Sequence, residues 1–424
     1  MNSGISLTRT LIRPSLALSN EPQLLYLAYD MLADAPPAQA ARQPVNLCLV
    51  IDRSSSMKGE RLARVKEAAI RLIDQLDPAD YFALVTFNDR AEVAVPAQRI
   101  GDRAAQRRAV NAIEAAGGTE MANSLALALQ EIRRPLLTRA VHRILLLTDG
   151  RTYGDEGRCV EIARLAQSRG VGITALGIGT EWNEDLLETL AAGDNSRATF
   201  ITSAPQVTQV FSEEVHRMHT LAVRKVEIRI ETRPDCLVRS VDRVRPHLAS
   251  VPVVEDGERR WVAALGDWPA AEPQTLIVEL VVPPLPIGDH PLIRTILRYD
   301  VPGADLRDQQ REDTLHMPVV SADQDTAQID HTIRNWLERL TAYRLQASAW
   351  RNVDAGRLDA AGAQLKMAGT RLFNAGQTEL AREVEREATR LLQSGSVGDE
   401  ARKRIKFGTR GLISSEAAQR ETGR

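Results

Sequence analysis

Between residues 45 and 220 the sequence alternates short apolar runs with longer stretches whose apolar residues recur every three or four positions, and no other feature restricts the fold as much. The runs at 45–51, 81–87, 143–148, 171–178 and 198–201 are aliphatic or β-branched and show little polar alternation. Such a run reads as a strand buried on both faces, the kind found in parallel sheets. Residues 92–95 add a short edge piece. The stretches between predict helices. Leu62, Val65, Ala69, Leu72, Ile73 and Leu76 share one face, and further helices are expected over 102–116, 121–133, 157–169, 183–192 and 205–218. Parallel strands need crossover connections, so this segment is predicted to be a doubly wound, mostly parallel α/β sheet. No G-x-G-x-x-G and no G-x-x-x-x-G-K-[ST] stands at a strand-to-helix turn, so the dinucleotide and P-loop readings lose support.

The first strand ends on Asp52, and Asp52-Arg53-Ser54-Ser55-Ser56 leads into a helix near Gly59. Asp52, Ser54 and Ser56 therefore sit at the carboxyl end of a strand, where open α/β sheets bind ligands. Their oxygens are hard donors of the type Mg²⁺ and Ca²⁺ prefer. The competing reading is a helix N-cap, with Ser54 or Ser56 satisfying free backbone N–H groups. Further on, Thr119 lies in Gly117-Gly118-Thr119 before a helix, and Asp149 ends a buried strand in Thr148-Asp149-Gly150. Alone, Thr119 would read as a cap and Asp149 as a turn residue.

Taken together and in this order, Asp52, Ser54, Ser56, Thr119 and Asp149 resemble the metal-ion-dependent adhesion site of the von Willebrand factor A family. The resemblance covers residues 45–220. It implies a Rossmann-like sheet in which the strands bearing Asp52 and Asp149 are neighbours where the strand order reverses. It also implies a divalent cation, Mg²⁺ or else Mn²⁺ or Ca²⁺, held by Asp52, Ser54, Ser56, Thr119 and Asp149. An open coordination position would take an Asp or Glu from a protein partner. Two carboxylates about 6 Å apart repel by roughly 3 kcal/mol at an effective dielectric near 20, and a cation would remove that repulsion. No His or Glu in these loops is placed as a base, and Asp155 and Glu156 read as solvated loop charges. The site is expected to dock a partner and not to be an enzyme's. A metal-dependent hydrolase is the alternative from another class, but haloacid-dehalogenase-like phosphatases need a second Asp where Ser54 stands.

The flanks differ in character. Residues 1–44 hold two or three short strands, too little chain to bury a core alone. Residues 221–321 alternate with period two, as in Val226, Ile228 and Ile230, and Pro283, Pro284, Pro286 and Pro291 punctuate them. A β-sandwich is predicted there, joined by the strands of 1–44, with the 45–220 domain inserted into it. Residues 322–394 carry Ile333, Trp336, Leu337 and Leu340 at helical spacing and predict a small domain of three helices. Trp336, Tyr343 and Trp350 read as its core. Residues 395–424 read as a basic flexible tail, with Arg402, Lys403, Arg404, Lys406 and Arg410 close together. Thr409 behind them is a candidate phosphorylation site that would recruit a kinase or FHA-type signalling partner. The bland alternatives are a solvated end, or a basic run lying on an acidic patch of its own chain. The architecture is similar to the bacterial relatives of inter-alpha-trypsin inhibitor heavy chains and calcium-activated-chloride-channel-like proteins. An adaptor for a MoxR-type AAA ATPase is a second role within that resemblance.

A net charge of −2 gives no field favouring nucleic acid, and aromatics at 4% are too sparse for base-stacking platforms. Cys48, Cys159 and Cys236 have no zinc or disulfide spacing. No stretch approaches the apolar length of a membrane span. A cytoplasmic protein without membrane or nucleic-acid partners is expected.

Overall fold

The structure, a computed structural model, describes residues 4–411 except 36–41, 138, 153, 180, 194, 202, 204 and 326–327. The chain divides into two units, Gln39–Leu221 and the segments on either side of it.

The chain begins with β1 (Ile5–Leu11), β2 (Leu16–Ala17) and β3 (Gln23–Ala33). The Gln39–Leu221 unit then runs β4 (Val45–Asp52), α1 (Glu60–Gln75), β5 (Tyr81–Phe87), β6 (Ala91–Arg99), α2 (Arg103–Asn111), α3 (Ala122–Arg133), β7 (Val141–Thr148), α4 (Glu156–Ser168), β8 (Gly172–Ile178), α5 (Glu184–Leu190), β9 (Arg197–Ile201) and α6 (Gln206–His219). Its sheet has the order β6-β5-β4-β7-β8-β9, parallel except for β6. Every residue of the central strand β4 is buried. Val45, Leu47, Leu49 and Ile51 share a core with Val65, Leu72 and Ile73 of α1 and Val207, Phe211 and Val215 of α6. Successive side chains of a strand face opposite ways, so the equally buried Cys48 and Val50 turn to the other layer, where α3 packs on β4. This is why the run lacks polar alternation. From β4 the chain builds outward to β5 and β6, then returns to the other side of β4 as β7. The reversal puts the ends of β4 and β7 side by side.

The helix expected over 102–116 stops at Asn111. The segment after it is drawn toward the loop behind β4, where the Ala116 N–H donates to the Arg53 carbonyl at 2.8 Å. The edge piece expected at 92–95 is a nine-residue strand, β6, paired to β5.

The other unit continues with β10 (Leu221–Thr232), β11 (Leu237–Arg245), β12 (Ala249–Ser250), β13 (Val254–Glu255), β14 (Arg260–Pro269), β15 (Gln274–Val282), β16 (Gly288–Val301) and β17 (Leu306–Val320). Two sheets form, ordered β1-β3-β15-β11-β12 and β13-β14-β10-β16-β17-β2. They share one core, with Leu25, Leu27, Tyr29 and Val278 from the first and Val226, Ile228, Leu297 and Met317 from the second. That is sandwich packing. The N-terminal β3 pairs with β15 along its length, from Gln23 opposite Val282 to Met31 opposite Gln274. Tyr29 spans the core and places its hydroxyl 2.7 Å from Thr295 Oγ1.

Four helices follow: α7 (His331–Asp354), α8 (Leu358–Asn374), α9 (Thr378–Ser394) and α10 (Asp399–Arg410). Trp350, Leu365, Leu372, Val384, Leu391 and Ile405 form their core. Trp336 and Tyr343 instead face the sandwich, against a small cluster of Ala28, Val244, Leu248, Ile277 and Ile333. Among the described residues no helix is long and apolar enough to cross a membrane.

The reading of residues 395–424 as a flexible tail requires correction. Residues 412–424 lie outside the described part, but α10 is a packed helix with Lys403, Ile405, Phe407 and Thr409 buried. Its basic residues meet acids of their own chain. Arg402 Nη1 lies 2.8 Å from Asp354 and its guanidinium stacks 5.6 Å from the centre of the Trp350 ring, while Arg404 lies 3.0 Å from Glu400. Thr409 is 3% exposed and its hydroxyl donates to the Ile405 carbonyl at 2.9 Å. A hydroxyl held inside a helical core is not presented to a kinase, so the signalling partner expected at Thr409 has no structural basis.

Candidate metal centre

The loop behind β4 folds as a single 3-10 turn, Ser55–Met57, followed by Gly59 at φ 90°, where a side chain would be strained. Only then does α1 start. Neither Ser54, at the head of the turn, nor Gly59 makes a side-chain cap, so the cap reading for Ser54 fails. The serine hydroxyls point instead at each other and at a carboxylate. Ser54 Oγ lies 3.0 Å from Ser56 Oγ, and Ser56 Oγ donates to Asp149 Oδ1 at 2.6 Å. Asp149 comes from the adjacent strand end, after β7.

Both carboxylates are fully buried. Asp52 Oδ1 accepts from the Ser54 N–H at 2.8 Å, and Oδ2 accepts from Thr148 Oγ1 at 2.6 Å. Burial pushes the Asp52 carboxyl above its ordinary value; the hydrogen bonds from Ser54 and Thr148 work against that, and the neighbouring Asp149 adds to it. A cation at this point would favour the charged form. Asp149 Oδ2 accepts from Arg61 Nη1 at 2.7 Å, so one guanidinium already leans on the site.

Thr119 arrives on the 116–120 loop, which several backbone bonds lace to its neighbours. The Ser55 N–H donates to the Gly117 carbonyl at 3.0 Å, the Gly118 N–H to Asp89 Oδ1 at 2.9 Å, and the Glu120 N–H to the Asn88 carbonyl at 2.8 Å. A methyl group added at Gly150 would lie 3.3 Å from Thr119 Oγ1 and 3.9 Å from Ser56 Oγ. The two hydroxyls therefore converge over Gly150, beside Asp149. All the sequence-derived residues come together: Asp52, Ser54 and Ser56 behind β4, Asp149 behind β7, and Thr119 across from both. Two carboxylates and three hydroxyls make an all-oxygen donor set that fits a hard divalent cation. Among the described residues no cluster of three or more His, Cys, Asp or Glu side chains offers another arrangement.

Four residues of this neighbourhood escape a reading of the sequence. Thr148 and Arg61 hold the two carboxylates, and only the tertiary fold shows it. Asp155 is not a solvated loop charge: its Oδ2 accepts from the Ala122 N–H at 2.7 Å, and it bonds Thr152, whose Oγ1 also accepts from the Met121 N–H at 3.2 Å. Asp155 and Thr152 thus fix the start of α3 and, with it, Thr119. The T-D-G-R-T pattern carries no local signal for that role.

Comparison with known proteins bears on the domain and its fold. The von Willebrand factor type A domain profile matches residues 46–213, and the Sll0103-like C-terminal alpha-helical domain profile matches residues 331–415. The protein sll0103 of Synechocystis is 28% identical over 384 residues, 90% of this chain and 91% of that one. Human inter-alpha-trypsin inhibitor heavy chain H4 is 30% identical over 43% of this chain, which spans only 21% of it. In fold, a von Willebrand factor type A protein from Catenulispora acidiphila superposes with a TM-score of 0.77 at 20% identity, covering 97% of this chain and 98% of that one. Residues 46–213 are therefore a von Willebrand factor type A domain.

Proposed function

We propose that the A domain is a metal-dependent docking module for a protein partner. The observation that carries the reading is the run of oxygens from Ser54 Oγ through Ser56 Oγ to Asp149 Oδ1, spaced 3.0 and 2.6 Å at the switch point of the sheet. In this reading Asp52, Ser54, Ser56, Thr119 and Asp149 hold a divalent cation, Mg²⁺ in the first place. The bound cation would supply an acidic coordination position for an exposed Asp or Glu of the partner. Asp52 and Asp149 contribute the opposing charge, and the buried Thr148 keeps Asp52 aimed. Docking is favoured over catalysis because Asp155 and Asp89, on loops beside the site, are committed to backbone N–H groups. The three described thiols are free and buried, which is compatible with the reducing conditions of a cytoplasm.

The test is capture of partners from lysate with and without EDTA, by wild type and by Thr119→Ala. Partners retained by wild type in Mg²⁺ and lost in both other cases support the reading. A partner set indifferent to EDTA would place the interface elsewhere.

A further inference from the structure

Asp149 is shared. One oxygen faces Ser56 and the proposed cation position, and the other accepts from Arg61. Arg61 stands in the first turn of α1, and its side chain is 41% exposed while that of Asp149 is 0% exposed. The guanidinium crosses the carboxyl end of the sheet: it also approaches the Ser56 carbonyl at 3.4 Å, and a methyl group at Gly179 behind β8 would lie 3.4 Å from its Nη2. Two carboxylates buried this completely are costly to keep ionised without a positive partner. Besides Arg61, neutral hydroxyls and one backbone N–H among the described residues bond them.

Building on the metal-site reading, we propose that Arg61 is the site's internal counter-charge and sets its affinity for divalent cations. The guanidinium and a divalent cation draw on the same carboxylate and repel each other, so every cation that binds does so against Arg61. The half-exposed side chain has room to turn into solvent, at the loss of a charge-assisted hydrogen bond. The arrangement stabilises the A domain at low metal and weakens its grip on metal, which would make docking respond to cation concentration. Arg61 is a positioning residue here, acting through Asp149.

The experiment uses the full chain with Mn²⁺ as probe, counting free ion by electron paramagnetic resonance, and thermal unfolding in EDTA. Arg61→Gln is expected to bind Mn²⁺ roughly tenfold more tightly than wild type, since one charge-assisted hydrogen bond no longer has to be given up. In EDTA the same variant is expected to unfold at a lower temperature. Arg61→Lys keeps the charge and should stay close to wild type in both. Opposite movement of affinity and metal-free stability is the signature, because a residue that merely supports the loop would lower both. Unchanged or weaker Mn²⁺ binding by Arg61→Gln overturns the proposal while leaving the metal site standing. Absence of Mn²⁺ binding by every form, wild type included, overturns both.

Discussion

Asp80, between α1 and β5, shows how the inserted unit is fastened where the chain enters and leaves it. Its carboxylate is fully buried and accepts from the Val45 N–H and the Asp77 N–H, each at 2.8 Å, and from Arg42 Nη2 at 2.7 and 2.8 Å, with His219 Nε2 at 3.0 Å. Arg42 and Val45 lie at the start of the unit, and His219 closes α6 at its end. Asp80→Ala leaves two backbone N–H groups without their acceptor, each costing about 1–3 kcal/mol. Arg42 is partly exposed and keeps Asp77, so its loss adds little. The expected total is about 3–5 kcal/mol, within the range for breaking a buried ionic contact. Hydrogen exchange read by mass spectrometry on peptides from β4 and β5 should then quicken by roughly a hundredfold or more at pH 7, if those strands open with the whole unit. Burial works to raise the Asp80 carboxyl, but the bonds from His219, the Val45 N–H and Arg42 outweigh it and hold the group below its ordinary value of 3.8. A carboxyl depressed on folding contributes stability that is present above its unfolded value and is lost as pH falls through the folded one. The gap between wild type and Asp80→Ala should therefore be full at neutral pH and narrow below about pH 4. Equal protection of β4 in the two proteins at pH 7, or a gap that persists undiminished in acid, would refute this account.

Three other outcomes are expected. Saturating Mg²⁺, at about a hundred times its Kd, should raise the unfolding temperature of the A domain by roughly 5–10 °C, and Asp52→Ala should lose that gain; an equal gain in both would show that the ion binds elsewhere. Deleting residues 1–40 removes β1 and β3 and uncovers the edge of β15, so the shortened chain should aggregate and bind a hydrophobic dye, whereas a soluble protein with an unchanged circular dichroism spectrum would contradict the observed pairing. Phe407→Ala should cost about 3–5 kcal/mol and speed exchange in α7 to α10 together, and protection unchanged outside α10 would mean that α10 is not part of one cooperative core.

What could be read in the sequence, and what could not, follows from how far apart the interacting residues lie. β4, β5, β7 and β8 were legible because burial on both faces leaves an unbroken apolar run. Asp52, Ser54 and Ser56 could be nominated because one turn sets their spacing, Thr119 because it follows a Gly-Gly pair ahead of a helix, and Asp149 because it ends a buried strand. The first half of β17 was not legible, since Leu306–Asp313 is largely solvated and carries no apolar alternation. Nor was α10: only Ile405 and Phe407 are large apolar residues within its basic run, and the acids that neutralise it belong to other helices or to its own first turn. The same logic separates the site's donors from its electrostatics. Arg61 meets a carboxylate 88 residues away, and Thr148 one 96 residues away. Loop spacing can nominate the atoms that face a cation, but whether those atoms are already held by hydrogen bonds or by a fixed charge depends on strand order. In this chain the order β5-β4-β7-β8 brings the ends of β4, β7 and β8 and the first turn of α1 within reach of one guanidinium. A sheet that kept β4 beside β7 but carried no basic residue in the first turn of α1 would present the same donor set without that internal competitor, and its response to metal would differ accordingly.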